Sequence, residues 1–138
     1  MGNETRMAYE ILLVDDHPLV RQRVRQIIEE RAELAVMGEL QNGLELLASF
    51  KKRLPQLIIL DISMPHLGGI QATRLIKSSH PQVKVLILTL HNRREYVDRA
   101  RKAGAEGYLL KDNVDEELVS AIETLRRGGT YISTRLSV

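Results

Sequence analysis

The chain has 138 residues, close to one domain at roughly 150 residues per domain, and it has no cysteine, which excludes a disulfide framework, a thiolate zinc site and a cysteine nucleophile. Twenty Lys and Arg against eighteen Asp and Glu leave a net charge of +2, too little to draw the chain non-specifically onto nucleic acid or an acidic membrane. One Phe, four Tyr and no Trp are too few aromatics for a single-strand stacking platform.

Residues 1–9, in MGNETRMAYE, are expected to be a polar, disordered leader. They carry no apolar segment of a secretory signal, and Arg6 stands where a myristoylation motif requires Ser or Thr. Short apolar runs then alternate with segments of helical period, the pattern of βαβ units in a parallel sheet covered on both faces. Strands are expected at Ile11–Val14, Leu34–Met37, Leu57–Leu60, Val83–Leu88 and Gly107–Leu110. The first helix starts at Pro18, where a missing N–H costs nothing, and carries Val20, Val24, Ile27 and Ile28 inward. The second covers about Leu44–Lys51 after Asn42-Gly43. The third runs from Gly69 to Ser79 with Ala72, Leu75 and Ile76 inward, and His80-Pro81 stops it. The fourth covers about Arg93–Ala103, capped by Gly104. Asn113 and Glu116 have the spacing of a capping box for the fifth, whose stripe is Leu118, Ile122 and Leu125. After the Gly128-Gly129 break, TYISTRLSV reads as the start of a linker or a short terminal strand.

An open α/β sheet binds its ligands outside the carboxyl ends of the strands. There the sequence places Asp15 and Asp16 after the first strand, Asp61 after the third, Thr89 after the fourth and Lys111 after the fifth. Singly these are a loop acceptor, a strand threonine and a solvated lysine. Together they put three carboxylates, a hydroxyl and an ammonium at one rim, a costly cluster unless a cation joins it. Oxygen ligands without Cys suit Mg²⁺ or Mn²⁺ better than zinc. His17, directly before Pro18, reads as an exposed helix-start residue, and His66, His80 and His91 are scattered over loops. Gly38 and Gly43 have the spacing of a phosphate loop, but Leu44-Glu45 replaces its Lys-Ser/Thr, and no GxGxxG is present.

The blocks ILLVDDHPLVR, LIILDISMPHLGGIQATRLIK, VLILTLHNR and AGAEGYLLKD resemble, in order and spacing, those of the response-regulator receiver domain. The subgroup they resemble most is the one whose receivers precede a LuxR-type helix-turn-helix. The resemblance implies a flavodoxin-like doubly wound sheet of five strands in the order 2-1-3-4-5 with five helices. It implies a receiver over residues 10–128, with residues 129–138 beginning a linker toward an output domain. It makes Asp61 the phosphoacceptor, with Asp15, Asp16, Asp61 and the backbone carbonyl of Ser63 as ligands of Mg²⁺, Mn²⁺ substituting. Thr89 and Lys111 would engage the attached phosphoryl group, and Thr89 with Tyr108 would form the switch. Pro65 and Gly69 would shape the loop after the phosphorylated strand. Where many receivers have a proline, often cis, Asp112 follows Lys111; a cis bond without proline costs about 2.5–4 kcal/mol, so this bond is expected trans.

The resemblance further implies a cytoplasmic protein of two-component signal transduction, phosphorylated by a sensor histidine kinase and forming a homodimer on phosphorylation. It would meet DNA only through an output domain outside this chain, to regulate transcription, and would not engage the membrane. It is not an enzyme beyond catalysing its own aspartyl phosphorylation and dephosphorylation. The alternative is a protein-interaction module with a vestigial phosphosite. A haloacid-dehalogenase-type phosphatase would need a second Asp where Ser63 stands. Arg93, Arg94, Arg99, Arg101 and Lys102 read as a solvated or partner-binding helix face rather than a DNA-reading one.

Overall fold

The apolar runs pair in parallel, as their continuous aliphatic character requires. The computed structural model describes residues 8–63 and 67–133. Its strands are β1 (Tyr9–Val14), β2 (Leu34–Leu40), β3 (Leu57–Asp61), β4 (Lys84–Thr89), β5 (Gly107–Leu110) and β6 (Tyr131–Ile132). The helices are α1 (Pro18–Glu29), α2 (Gly43–Ser49), α3 (Gly69–Ser79), α4 (Arg94–Ala103) and α5 (Val114–Arg126). The strand order is β2-β1-β3-β4-β5-β6, so the expected 2-1-3-4-5 arrangement is present with one strand added at its edge. None of the helices among the described residues is long and apolar enough to cross a membrane.

Alternation along the strands divides the core into two layers. Leu12, Val14, Ile58, Leu60, Val85, Ile87 and Tyr108 face α2, α3 and α4, meeting Leu46, Ala72, Ile76, Val97 and Ala100. Ile11, Leu13, Leu57, Ile59, Leu86, Leu88 and Leu109 face α1 and α5, meeting Val24, Ile28, Leu118, Ile122 and Leu125. With both faces of the central strands apolar, polar chemistry is confined to the strand ends.

Several boundaries differ from the sequence reading. Tyr9, placed in the leader, is the first residue of β1 and is buried, while residues 1–7 lie outside the described residues. β2 does not stop at Met37: Ile11 pairs with Val36 and Leu12 with Gly38, so Met37 is the extra residue of a bulge and the strand continues to Leu40. In α3, Leu75 is 41% exposed, and Thr73 takes the inward place with its hydroxyl donating to the Gly69 carbonyl at 2.7 Å. The stripe is therefore Gly69, Ala72, Thr73 and Ile76, one face at helical spacing.

The capping box expected at Asn113 does not form. Lys111–Asn113 is a 3₁₀ turn leading directly into α5, and Asn113, at ψ 15°, makes no side-chain cap. Such a pair forms instead at α2, where Asn42 accepts from the Glu45 N–H at 3.0 Å and the Glu45 carboxylate accepts from the Gln41 N–H at 2.9 Å. Gly104 caps α4 at φ 105°, as expected. No cis peptide bond occurs among the described residues, Lys111–Asp112 included. Tyr131 and Ile132, inside the stretch read as linker or terminal strand, pair with Gly107 and Tyr108; residues 134–138 lie outside the described residues.

Candidate functional site

Strand register brings the polar residues to one rim. Val14 pairs with Leu60, Asp61 with Leu88, and Thr89 with Leu110, so the residue that follows β1 and the end of β4 flank the last residue of β3, and Lys111 reaches it from beyond β4. β1 lies between β2 and β3, and its connection reverses direction across the sheet at this point. Gly69 permits the tight approach of α3: a Cβ there would stand 2.3 Å from the Asp61 carbonyl oxygen.

Asp15, Asp61 and Lys111 are 4%, 2% and 7% exposed. Asp15 Oδ1 accepts from the His17 N–H at 2.8 Å, and Asp61 Oδ1 from the Ser63 N–H at 3.1 Å. The Lys111 ammonium stands 3.3 Å from Asp15 Oδ2 and 3.2 Å from Asp61 Oδ2. Neither Oδ2 atom has a hydrogen-bond partner among the described residues, although both are buried. Burial pushes the Asp61 carboxyl up to about 6, and the neighbouring Asp15 charge adds to this; the Ser63 N–H and Lys111 oppose it. Two buried carboxylates against one ammonium leave a net negative charge that a bound cation would offset. Asp15, Asp16, His17 and Asp61 each offer one ligand atom, all within 4.8 Å of one another. The mostly oxygen donor set suits a hard divalent ion.

The other expected residues occupy adjoining places. Asp16 is exposed at the rim. Ser63 reaches Asp61 through its backbone N–H. Thr89 is buried at the end of β4 and accepts from the His91 N–H at 2.9 Å. Tyr108, 1% exposed, directs its hydroxyl to the His91 carbonyl at 3.4 Å, and burial pushes its phenol up to about 12. The Tyr108 ring is in the core. Pro65 and His66 lie outside the described residues. Arg93, Arg94, Arg99, Arg101 and Lys102 are exposed on and beside α4, away from the carboxylates.

His17 is the site residue that sequence reasoning passed over. Its side chain is 53% exposed, which fits a helix-start residue, but its Nδ1 lies 2.8 Å from Lys111 Nζ. The available signal was its place directly before Pro18, which holds it extended (φ −97°, ψ 102°) in the loop that leaves Asp15. His80 instead packs edge-on to Phe50, and the His91 ring stacks on Tyr96 at 4.5 Å.

Residues 11–123 match the response regulator receiver domain family. The chain is 41% identical over 132 residues to the transcriptional regulatory protein MctR of Rhizobium johnstonii, covering 94% of this chain and 60% of that protein. It is 37% identical over 127 residues to the response regulator UvrY of Escherichia coli, covering 92% and 58%. Thus it spans about three-fifths of the length of these curated relatives. Among solved structures it is similar to a two-component response regulator of the LuxR family from Aurantimonas sp., with a TM-score of 0.87 and 36% identity over 92% of this chain and 91% of that one. It is also similar to the receiver domain of NarL from Mycobacterium tuberculosis, with a TM-score of 0.83 and 31% identity over 89% and 99%.

Proposed function

Because the chain belongs to the response regulator receiver domain family, we propose that Asp61 accepts a phosphoryl group from the phosphohistidine of a sensor kinase, and that the phosphorylated domain controls transcription through a LuxR-type DNA-binding domain lying outside this chain. The observation that carries this reading is the buried Asp61 carboxylate at the end of β3, with its Oδ2 3.2 Å from the Lys111 ammonium. That oxygen attacks phosphorus, an O–P bond forms, the P–N bond to the donor imidazole breaks, and the imidazole leaves with the electron pair. Lys111 lies where its charge offsets that building up on the transferred group. Asp15, Asp16, Asp61 and the Ser63 carbonyl would hold Mg²⁺, or Mn²⁺ in its place. When bound, the ion supplies the positive charge that lets a carboxylate approach a phosphoryl dianion.

Leu19 supports a kinase as donor. It is 79% exposed on α1 and lines, with Val20, Lys111 and Val114, an open depression of about 270 Å³ beside the site. Leu19, Val20 and Val114 together give this open depression an apolar floor, a contact surface suited to a protein partner. Homodimer formation on phosphorylation and a cytoplasmic location belong to the same reading.

Intact-mass analysis of the chain incubated with a small phosphoryl donor and Mg²⁺ tests it. One added phosphoryl group, lost in Asp61→Asn, is expected. No label on the wild-type chain, or a label of equal rate in the variant, overturns the reading and leaves an interaction module with a vestigial phosphosite.

A further inference from the structure

The ammonium of Lys111 has three N–H donors and three neighbours: His17 Nδ1 at 2.8 Å, Asp61 Oδ2 at 3.2 Å and Asp15 Oδ2 at 3.3 Å. The shortest contact is to the exposed imidazole, not to either buried carboxylate. The imidazole takes one of the three N–H donors and so fixes where the ammonium sits between the two carboxylates.

The position of that imidazole is fixed by the backbone. Pro18 keeps His17 extended, and the His17 N–H donates to Asp15 Oδ1 at 2.8 Å, tying the residue to the carboxylate that Lys111 also faces. Nδ1 receives the ammonium proton, so the ring proton lies on Nε2.

We infer that His17 is a positioning residue for Lys111: its Nδ1 accepts from the ammonium and holds it at the rim, 3.2 Å from Asp61 Oδ2, where the incoming phosphoryl group arrives. His17 itself makes no bond to the transferred group. The inference rests on the phosphoryl-acceptor reading for its consequence, but the restraint is a property of the chain before any donor arrives.

Two variants separate the acceptor from the ring. His17→Phe keeps a planar ring and removes the acceptor; His17→Asn places Oδ1 the same number of bonds from Cα as Nδ1 and is a good helix N-cap. The first measurement is the Lys111 Nζ resonance in metal-free protein, with the His17 ring tautomer read from its nitrogen shifts. The second is the initial rate of Asp61 labelling by phosphoramidate and Mg²⁺. The Nε2–H tautomer is expected in the wild type. His17→Phe should move the Lys111 signal and slow labelling about fivefold, the scale of one hydrogen bond, and His17→Asn should restore both. Unchanged labelling in His17→Phe, equal slowing in both variants, or an Nδ1–H tautomer in the wild type overturns the inference. If His17→Phe does not fold, the wild-type tautomer and the His17→Asn rate decide it. A wild-type chain that takes no label at all defeats the phosphoryl-acceptor reading instead, and the metal-free Lys111 signal then decides the positioning role alone.

Discussion

The Ser133 N–H donates to the carbonyl of Tyr108 at 2.9 Å, so the last described residue of the chain is hydrogen-bonded to the buried aromatic of β5. The same end of the chain is held from α5. Glu117, a buried carboxylate, accepts from the Tyr131 hydroxyl at 2.6 Å and from the Ser133 hydroxyl at 3.0 Å. Burial and Glu117 push the Tyr131 phenol up to about 12, so it stays a donor at neutral pH. β6 is thus anchored to both the sheet and a helix, and a shift of β5 at Tyr108 reaches Ser133, the last described residue.

Tyr131→Phe removes one of these anchors without changing the ring. It should lower stability by about 1 kcal/mol, the usual value of a hydrogen bond discounted for the partial exposure of Tyr131. Amide exchange at Ser133 should quicken while that of β3 stays unchanged, and equal exchange at Ser133 in variant and wild type would show that the strand does not depend on this bond.

The chemistry of this site was legible in the sequence because a polar residue at the end of an aliphatic strand has one place to go. Asp15, Asp61, Thr89 and Lys111 each end such a run, and the register of a parallel sheet brings them together. What failed were readings that depend on local competition. Asn113 and Glu116 have capping-box spacing, yet a 3₁₀ turn from Lys111 sets the entry to α5. Leu75 fits the apolar period of α3, but Gly69 must face Asp61 for close approach, and this rotates Leu75 outward. β6 is two residues long, too short for periodicity to register, so the sequence leaves a linker and a short terminal strand both open; the strand forms, held by a glutamate 14 residues away from Tyr131. His17 escaped because its partner is a lysine 94 residues distant, a contact no local pattern encodes.

Asp61 makes stability depend on pH in a definite direction. Its carboxyl is raised from 3.8 to about 6 in the fold, chiefly by burial. The protonated form is therefore favoured by folding, and its contribution is complete below pH 3.8 and lost as pH rises through about 6. Asp61→Asn mimics the protonated form throughout. In chelator, it should be more stable than wild type by about 1–2 kcal/mol at pH 7.5, with the difference vanishing near pH 4. Urea unfolding at the two pH values checks this, and a pH-independent difference would contradict it.

Asp16 can be tested without disturbing the core, since it is exposed while Asp15 and Asp61 are buried. A cation that binds only the folded chain stabilises it by RT ln(1 + [L]/Kd), roughly 1.4 kcal/mol at ten times Kd. Asp16→Ala should lose most of the rise in Tm that Mg²⁺ gives the wild type, while melting alike in chelator. Equal Mg²⁺-induced rises in the two proteins would remove Asp16 from the metal site.

Thr89 and Tyr108 both bond to the backbone of one residue, His91. Thr89 Oγ1 accepts the His91 N–H at 2.9 Å, and the Tyr108 hydroxyl faces the His91 carbonyl at 3.4 Å. The His91 ring stacks on Tyr96 of α4 at 4.5 Å. With the Tyr108 ring buried, the response we propose to a phosphoryl group on Asp61 runs through the β4–α4 connection. A hydroxyl can donate to a phosphoryl oxygen while still accepting from His91, so a displaced Thr89 carries His91 with it, and with His91 both Tyr108 and α4. The phosphoryl group shifts the balance of two states only by its differential interaction with them, and a few kcal/mol suffice where the active form starts as the minor one. Thr89→Ala keeps Asp61, Asp15, Asp16 and Lys111, so it should still be labelled on Asp61. It should lose the phosphorylation-induced amide shifts at His91, Tyr96 and Tyr108, and Thr89→Ser, which restores the hydroxyl, should recover them. If Thr89→Ala shows the wild-type shifts at those residues, the signal does not pass through this hydroxyl, whatever becomes of the phosphosite.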